Sequence, residues 1–553
     1  MSRTAASPEE QSLRLDGTVI SPSSTRPTRR RLRIQLGVRG ELPLWLALIV
    51  AAVAGPVLDA GFPDLGLWPL TFVGIGLVLI AVRGQNVPRS LLIGFVAGVS
   101  FYGIHVQWAT LFLGVVPWAA LSVLEALFFA LGTMAIALAY RWLPRSRRGT
   151  LERLLFLPVV VAGLWTAREA WASVWPYGGF SWGRVAQSQS ESPLAPLFAW
   201  LGTSGVSFVM VLFVAMVIEA ATLRTARPTV RLIPAAVVLV AMVATPVFPV
   251  AVHDSLRVGA VQGNSKAGYF DVRDLGDNLR DHVEATEPIL DEDLDVIVWP
   301  EAASDINPLV STSASDVFDR IADEAGVPLV GGAITERDGE LFNTSMLWQP
   351  GVGPTDHYDK KHPVPFGEYV PDREFWSALA PDLIGMIARD YTPGTTDMVF
   401  DLGPAIAGIN ICFDIVDDQI MRESVEQGAQ IIFAQTNNAD FGRTDESVQQ
   451  LAFARIRALE LGRSVVNIST VGTSAIIAPD GSTIDELEWF TRDAMVAEVP
   501  LSDTETPALV IGRQLEWLAA AAGVLGLGFA GLWQARARLE RKDADSKKGQ
   551  PAG

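Results

Sequence analysis

The chain has 553 residues, 49% hydrophobic and only 19% charged, where an ordinary soluble protein carries about 25% charge. That balance excludes a wholly soluble, disordered, fibrous or disulfide-stapled chain. The net charge of −18 is unevenly placed: residues 254–505 hold 46 acidic and 16 basic side chains and the remainder 15 and 27, so an acidic segment sits in a basic, apolar frame and nucleic acid is excluded as a partner.

Residues 1–40 are polar and rich in Ser, Thr, Pro and Arg, which predicts a disordered arm with no cleavable signal peptide. A membrane span needs about 20 mostly apolar residues. Seven such runs lie in the segment 41–253, at about 42–60, 66–82, 91–113, 117–140, 154–174, 194–222 and 232–252. An eighth, LEWLAAAAGVLGLGFAGLW, marks 506–535, and a polar tail covers 536–553. Lys and Arg are retained on the cytoplasmic side of a membrane. Arg26, Arg29, Arg30, Arg31 and Arg33 precede span one, Arg83 and Arg89 follow span two, Arg141, Arg145, Arg147 and Arg148 follow span four, and Arg224, Arg227 and Arg231 follow span six. Arg536, Arg538, Arg541, Lys542, Lys547 and Lys548 follow the eighth. The first two intervening connections have no basic residue and the third has only Arg184. The pattern predicts both termini in the cytoplasm and residues 254–505 outside. Glu125, Arg168 and Glu169 fall within spans and are expected to face the protein interior or the interface. The aromatic run from Trp165 to Trp182 reads as an interfacial belt.

In 254–505, short apolar runs at 256–262, 295–300, 328–334, 344–350, 405–413, 429–436, 464–470 and 473–479 read as strands. Helical patterns occupy about 272–290, 312–326, 417–427 and 446–462. The alternation predicts a layered α/β domain. Cys412 is the only cysteine, so no disulfide forms within the chain, and it ends an apolar run. It is either a small buried hydrophobe or a nucleophile at a strand end, where α/β sheets place their chemistry. A thiol nucleophile needs a base and a donor for the oxyanion. Glu301 after DVIVWP, and Lys360 and Glu368 in YDKKHPVPFGEYVP, are candidates; as lone residues, each also reads as an ordinary loop charge.

A carboxylate after WP, a lysine in a Pro-rich loop and a cysteine after an apolar strand, in that order, resemble the nitrilase (carbon–nitrogen hydrolase) superfamily. VQGN (261–264), VWPEAA (298–303), YDKKHPVPFGEYVP (358–371), NICFDI (410–415), QTNNADFG (435–442) and the run 453–481 resemble its membrane branch, the apolipoprotein N-acyltransferases. The resemblance implies an α-β-β-α sandwich outside the membrane, carried by about eight transmembrane helices. It implies Glu301 as general base, Cys412 as the nucleophile that holds an acyl thioester, and Lys360, with the backbone of Phe413, as oxyanion stabiliser. Glu368 matches the family's second glutamate, which positions the lysine or the acceptor. Asp414 and Phe441 fall at substrate-binding positions. The family commonly reads Cys-Tyr-Glu where this chain has Cys412-Phe413-Asp414, and Asp440 stands where it has a tryptophan before Phe-Gly.

The implied reaction moves an acyl chain from a phospholipid donor to the α-amine of a diacylglyceryl-cysteine at a lipoprotein N-terminus, at the outer face of a bacterial plasma membrane. No cofactor or metal is implied; the partners are membrane lipids, the lipoprotein and, as a lesser expectation, a polyprenol-phosphate glycosyltransferase. The alternative is a membrane-tethered amidase or nitrilase acting on a small C–N substrate. A thioester intermediate must be shielded from water, and the 302–315 and 371–396 stretches are the expected shields.

Overall fold

The computed structural model describes residues 41–143, 150–223 and 226–548, with side chains to residue 540. The expected N-terminal arm, Arg145, Arg147, Arg148 and Arg224, and the side chains of Arg541, Lys542, Lys547 and Lys548 lie outside the described residues. The apolar runs are helical: α1 Leu44–Asp59, α2 Pro69–Val82, α3 Val87–His105, a short α4 Ala109–Leu113, α5 Val115–Trp142, α6 Leu157–Ala172, α7 Leu197–Thr222 and α8 Pro228–Val243. After the α/β domain comes α15, Pro507–Lys548. Among the described residues, five helices are long and apolar enough to cross a bilayer, namely α3, α5, Glu152–Ala172, α7 and α15 as far as Glu540, while α1, α2 and α8 are apolar but shorter.

Two expected spans change shape. The 91–113 run breaks after His105, where the chain turns through Trp108 into α4. The 232–252 run is helical only to Val243; beyond it Pro246 and Pro249 remove the N–H groups a helix would need, and the chain descends without helical structure to the first strand. Helices approach closely where side chains are smallest: a Cβ on Gly523 of α15 would lie 2.4 Å from the Gly163 carbonyl carbon of α6, the kind of backbone contact membrane helices use. Glu125, Arg168 and Glu169 are buried, as their cost in lipid requires. Arg168 lies over the Phe129 and Trp165 rings, and Glu169 accepts from Trp165 Nε1 at 2.8 Å.

The α/β domain is two six-stranded sheets. Its strands are β1 Asp254–Gln262, β2 Val296–Val298, β3 Leu329–Arg337, β4 Glu340–Gln349, β5 Gly353–Asp359, β6 Val399–Asp401, β7 Ile406–Ile411, β8 Ile431–Thr436, β9 Ser464–Ser469, β10 Ala475–Ile477, β11 Thr483–Glu486 and β12 Asp493–Leu501. Its helices are α9 Asp277–Thr286, α10 Thr312–Ala325, α11 Arg373–Leu379, α12 Pro381–Ile384, α13 Asp418–Glu426 and α14 Asp445–Leu461. One sheet runs β12-β1-β2-β3-β4-β5, the other β11-β10-β9-β8-β7-β6. Because side chains alternate along a strand, each sheet has two apolar faces to bury. The facing sides meet in one core, with Val258 and Val298 against Ile409, Phe433 and Val466. The outer face of the first sheet carries α9 and α10 through Leu279, Phe318 and Trp299. The outer face of the second carries α13 and α14 through Met421 and Phe453, together with Trp182 from the helical region.

Helix α14 joins the two halves of the molecule. Its Ile456 and Leu459 belong to the core of the helical bundle, while its Ala454 and Ala458 pack on the second sheet. Trp165 and Trp182 are therefore inside the protein, not in a belt; Trp171, Trp175 and Tyr177 are exposed. The expected 371–396 shield folds through α11 and α12 and rests on α4, with Val370, Ile384 and Ile387 against Leu113 and Phe112.

Candidate active site

Strand β7 is buried along nearly its whole length, so its last residue delivers whatever follows it to the carboxyl edge of the sheet. The strand ends at Ile411, two residues sooner than its apolar run suggests, because Cys412 adopts a left-handed φ of 52° and opens a tight 3-10 turn, Cys412–Val416. A side chain in that region costs about 1–3 kcal/mol unless the surroundings hold it. Asp414 supplies the hold: its Oδ2 accepts from the Ile411 N–H at 3.1 Å and from the Tyr358 hydroxyl at 2.9 Å. Burial pushes the Asp414 carboxyl up to about 6, with Lys360 pulling it back. The turn leaves Cys412 half-buried.

Glu301 follows β2 through Trp299 and Pro300, and Lys360 follows β5. Asn343, on β4, ties both together. Its Nδ2 donates to Glu301 Oε1 at 2.7 Å and to Glu368 Oε1 at 2.8 Å, and its carbonyl accepts from the Lys360 N–H at 2.9 Å. Lys360 Nζ lies 2.8 Å from Glu368 Oε2, which also accepts from the Val364 N–H at 2.6 Å. Lys360 is 1% exposed and Glu301 7%. Glu301 Oε2 has no conventional hydrogen-bond partner among the described residues, and the Cys412 thiol is a neighbour of the Glu301 carboxyl.

The electrostatics follow from this crowding. Burial pushes Glu301 up to about 7, against the pull of Lys360. Burial works against the Lys360 ammonium, but Glu368, then Cys412 and Glu301, hold it firmly protonated. Burial and the Glu301 charge push the Cys412 thiol well up, and Lys360 draws it back. A carboxyl that titrates near neutral pH, a fixed cation and a thiol in one dry pocket can perform proton abstraction, nucleophilic attack and oxyanion stabilisation.

The other expected site residues lie elsewhere. Phe413 points to the helical region, its ring stacked on Trp182 at 6.1 Å and 8° and on Phe180 at 6.2 Å and 15°. Phe441 packs edge-on against Trp108, between α3 and α4, at 5.1 Å. Asp440 accepts from the Tyr269 N–H at 2.6 Å. Sequence reasoning passed over Asn343, Asn438, Glu446 and Gln450. Asn343 begins a buried polar run, Asn343-Thr344-Ser345, inside a strand, which is a legible anomaly. Glu446 sits in the first turn of α14, where an acidic residue is ordinary, so nothing in the sequence marks it.

The profile described as carbon–nitrogen hydrolase matches residues 257–507, and the one described as apolipoprotein N-acyltransferase N-terminal domain matches 54–216. The α/β half is thus a carbon–nitrogen hydrolase domain. The apolipoprotein N-acyltransferase of Mycolicibacterium smegmatis is 31% identical, covering 92% of this chain and 90% of its own. That of Azotobacter vinelandii is 29% identical, covering 90% and 97%. The chain belongs to the apolipoprotein N-acyltransferase family. Among solved structures, Saccharomyces cerevisiae Nit3, of the nitrilase superfamily, is 18% identical over 45% of this chain and 91% of its own, with a TM-score of 0.35.

Proposed function

We propose that the protein transfers a fatty acyl chain from a phospholipid to the α-amine of a diacylglyceryl-cysteine, in two half-reactions through a thioester on Cys412. Glu301 takes the thiol proton as the sulfur attacks the ester carbonyl. Lys360, whose charge is fixed by Glu368, stabilises the oxyanion. The alkoxide of the lysophospholipid leaves with the proton that Glu301 carries. In the second half-reaction Glu301 accepts a proton from the attacking amine, and the cysteine thiolate departs.

The observation that carries this reading is the seam. The residue next to the sulfur, Phe413, is stacked on Trp182 of the helical region, so a lipid can present its carbonyl to Cys412 while its chains stay against apolar helices. Keeping them there avoids exposing apolar area to water at about 25 cal/mol per Å². A soluble amidase has no need of such a seam. Intact-protein mass after incubation with phospholipid tests the reading. The wild type gains one acyl-sized adduct and Cys412→Ala gains none. No adduct with any lipid, alongside turnover of small amides, supports the amidase reading instead.

A further inference from the structure

The proposed mechanism leaves three buried polar side chains beside the sulfur unused: Asn438, Glu446 and Gln450, which are 2%, 3% and 2% exposed. They form a chain with a defined direction. Asn438 Oδ1 accepts from the hydroxyls of Thr436 at 3.0 Å and Ser469 at 2.7 Å. Its Nδ2 therefore faces α14, where its two protons go to Glu446 Oε2 at 2.8 Å and Gln450 Oε1 at 2.6 Å. With its carbonyl so held, Gln450 turns Nε2 to Cys412 Sγ, 4.0 Å away. An amide has one donor end and one acceptor end, so the orientation of Asn438 dictates what Gln450 offers the sulfur.

The sulfur needs that donor. Burial and the Glu301 charge act against the thiolate, and the Lys360 ammonium that favours it is already engaged by Glu368. We propose that Gln450 is a further catalytic residue, whose side-chain amide donates to the Cys412 thiolate, and that Asn438 and Glu446 are positioning residues that hold the amide in that sense. A neutral donor stabilises the sulfur anion without a competing counter-charge. It acts twice, when the thiolate attacks the lipid ester and when it leaves the thioester. Burial pushes Glu446 up to about 8, so at neutral pH it accepts from Asn438 without adding a full negative charge beside the thiolate.

This inference rests on Cys412 being the nucleophile, and because Cys412 is the only cysteine, alkylation of the full-length enzyme by iodoacetamide reports on it alone. Gln450→Leu keeps the bulk and removes the donor. It slows alkylation at pH 7 by about tenfold, the lower end for a hydrogen bond to a charged group, and moves the alkylation profile to higher pH. It lowers kcat with KM for phosphatidylglycerol unchanged, and Gln450→His, which restores an N–H, recovers most of the rate. Asn438→Asp is the decisive companion: it keeps the hydroxyl contacts but presents an acceptor to Gln450, which turns its amide away from the sulfur and reproduces the loss with Gln450 in place. Wild-type alkylation and kcat in Gln450→Leu, or in a well-folded Asn438→Asp, overturn the inference and leave the Cys412 mechanism standing. An acyl adduct that persists in Cys412→Ala overturns both.

Discussion

At the residue scale, the site turns on one carboxyl whose ordinary value of 4.5 is pushed up to about 7 by burial. Only the ionised form can take the thiol proton, so the acylation rate rises with pH through about 7 and flattens above it. Glu301→Gln removes that limb and lowers the rate at pH 8 by at least about 100-fold, the lower range for a positioned general base. Stopped acylation assays across pH 5–9 check both. Glu301, Lys360 and Cys412 were legible because each follows a recognisable apolar strand or Pro-rich motif. Asn343, which fastens Glu301 to Glu368, is legible only as an anomaly, since a polar run within a strand does not say which carboxyls it serves.

At the scale of elements, the eight strands expected from sequence are the eight interior strands. The four that sequence did not reveal, β5, β6, β11 and β12, are the four sheet edges. An interior strand buries both faces and reads as an apolar run, whereas an edge carries polar residues and tolerates proline. Strand β5 reads GPTDHYD and β12 contains Pro500. Helix α14 was legible as a helix but not as a joint, since its two apolar faces serve different halves of the molecule. Gln449 at its head accepts from Trp182 Nε1 at 2.6 Å and Trp108 Nε1 at 3.3 Å. Gln449→Leu takes the acceptor from two indole donors, that of Trp182 buried, and thermal unfolding in detergent registers a loss of about 1–3 kcal/mol, with the Cys412 alkylation rate of the folded enzyme unchanged.

At the scale of the whole molecule, α7 is the ruler. Near its start Thr203 donates to Glu460 of α14; near its end Glu219 and Thr222 hold Arg83 and Arg153. From Thr203 to Thr222 the helix rises about 28 Å at about 1.5 Å per residue, close to the thickness of a bilayer's hydrocarbon core. The α/β domain and the arginines Arg83 and Arg153 thus occupy opposite ends of the span. With arginines retained inside, we propose that the domain faces outward. Val352, 73% exposed on the β4–β5 turn, provides the check. In a Cys412→Ser background, Val352→Cys is expected to react with a membrane-impermeant maleimide in intact cells; protection until lysis reverses the topology.

The most direct measurement starts from enzyme acylated by phospholipid in nanodiscs and freed of donor, then supplied with a diacylglyceryl-cysteine peptide. The expected result is that the acyl mass leaves Cys412 and reappears as an amide on the peptide, while without peptide the thioester outlasts the assay. Release of free fatty acid at the same rate with or without peptide would contradict it.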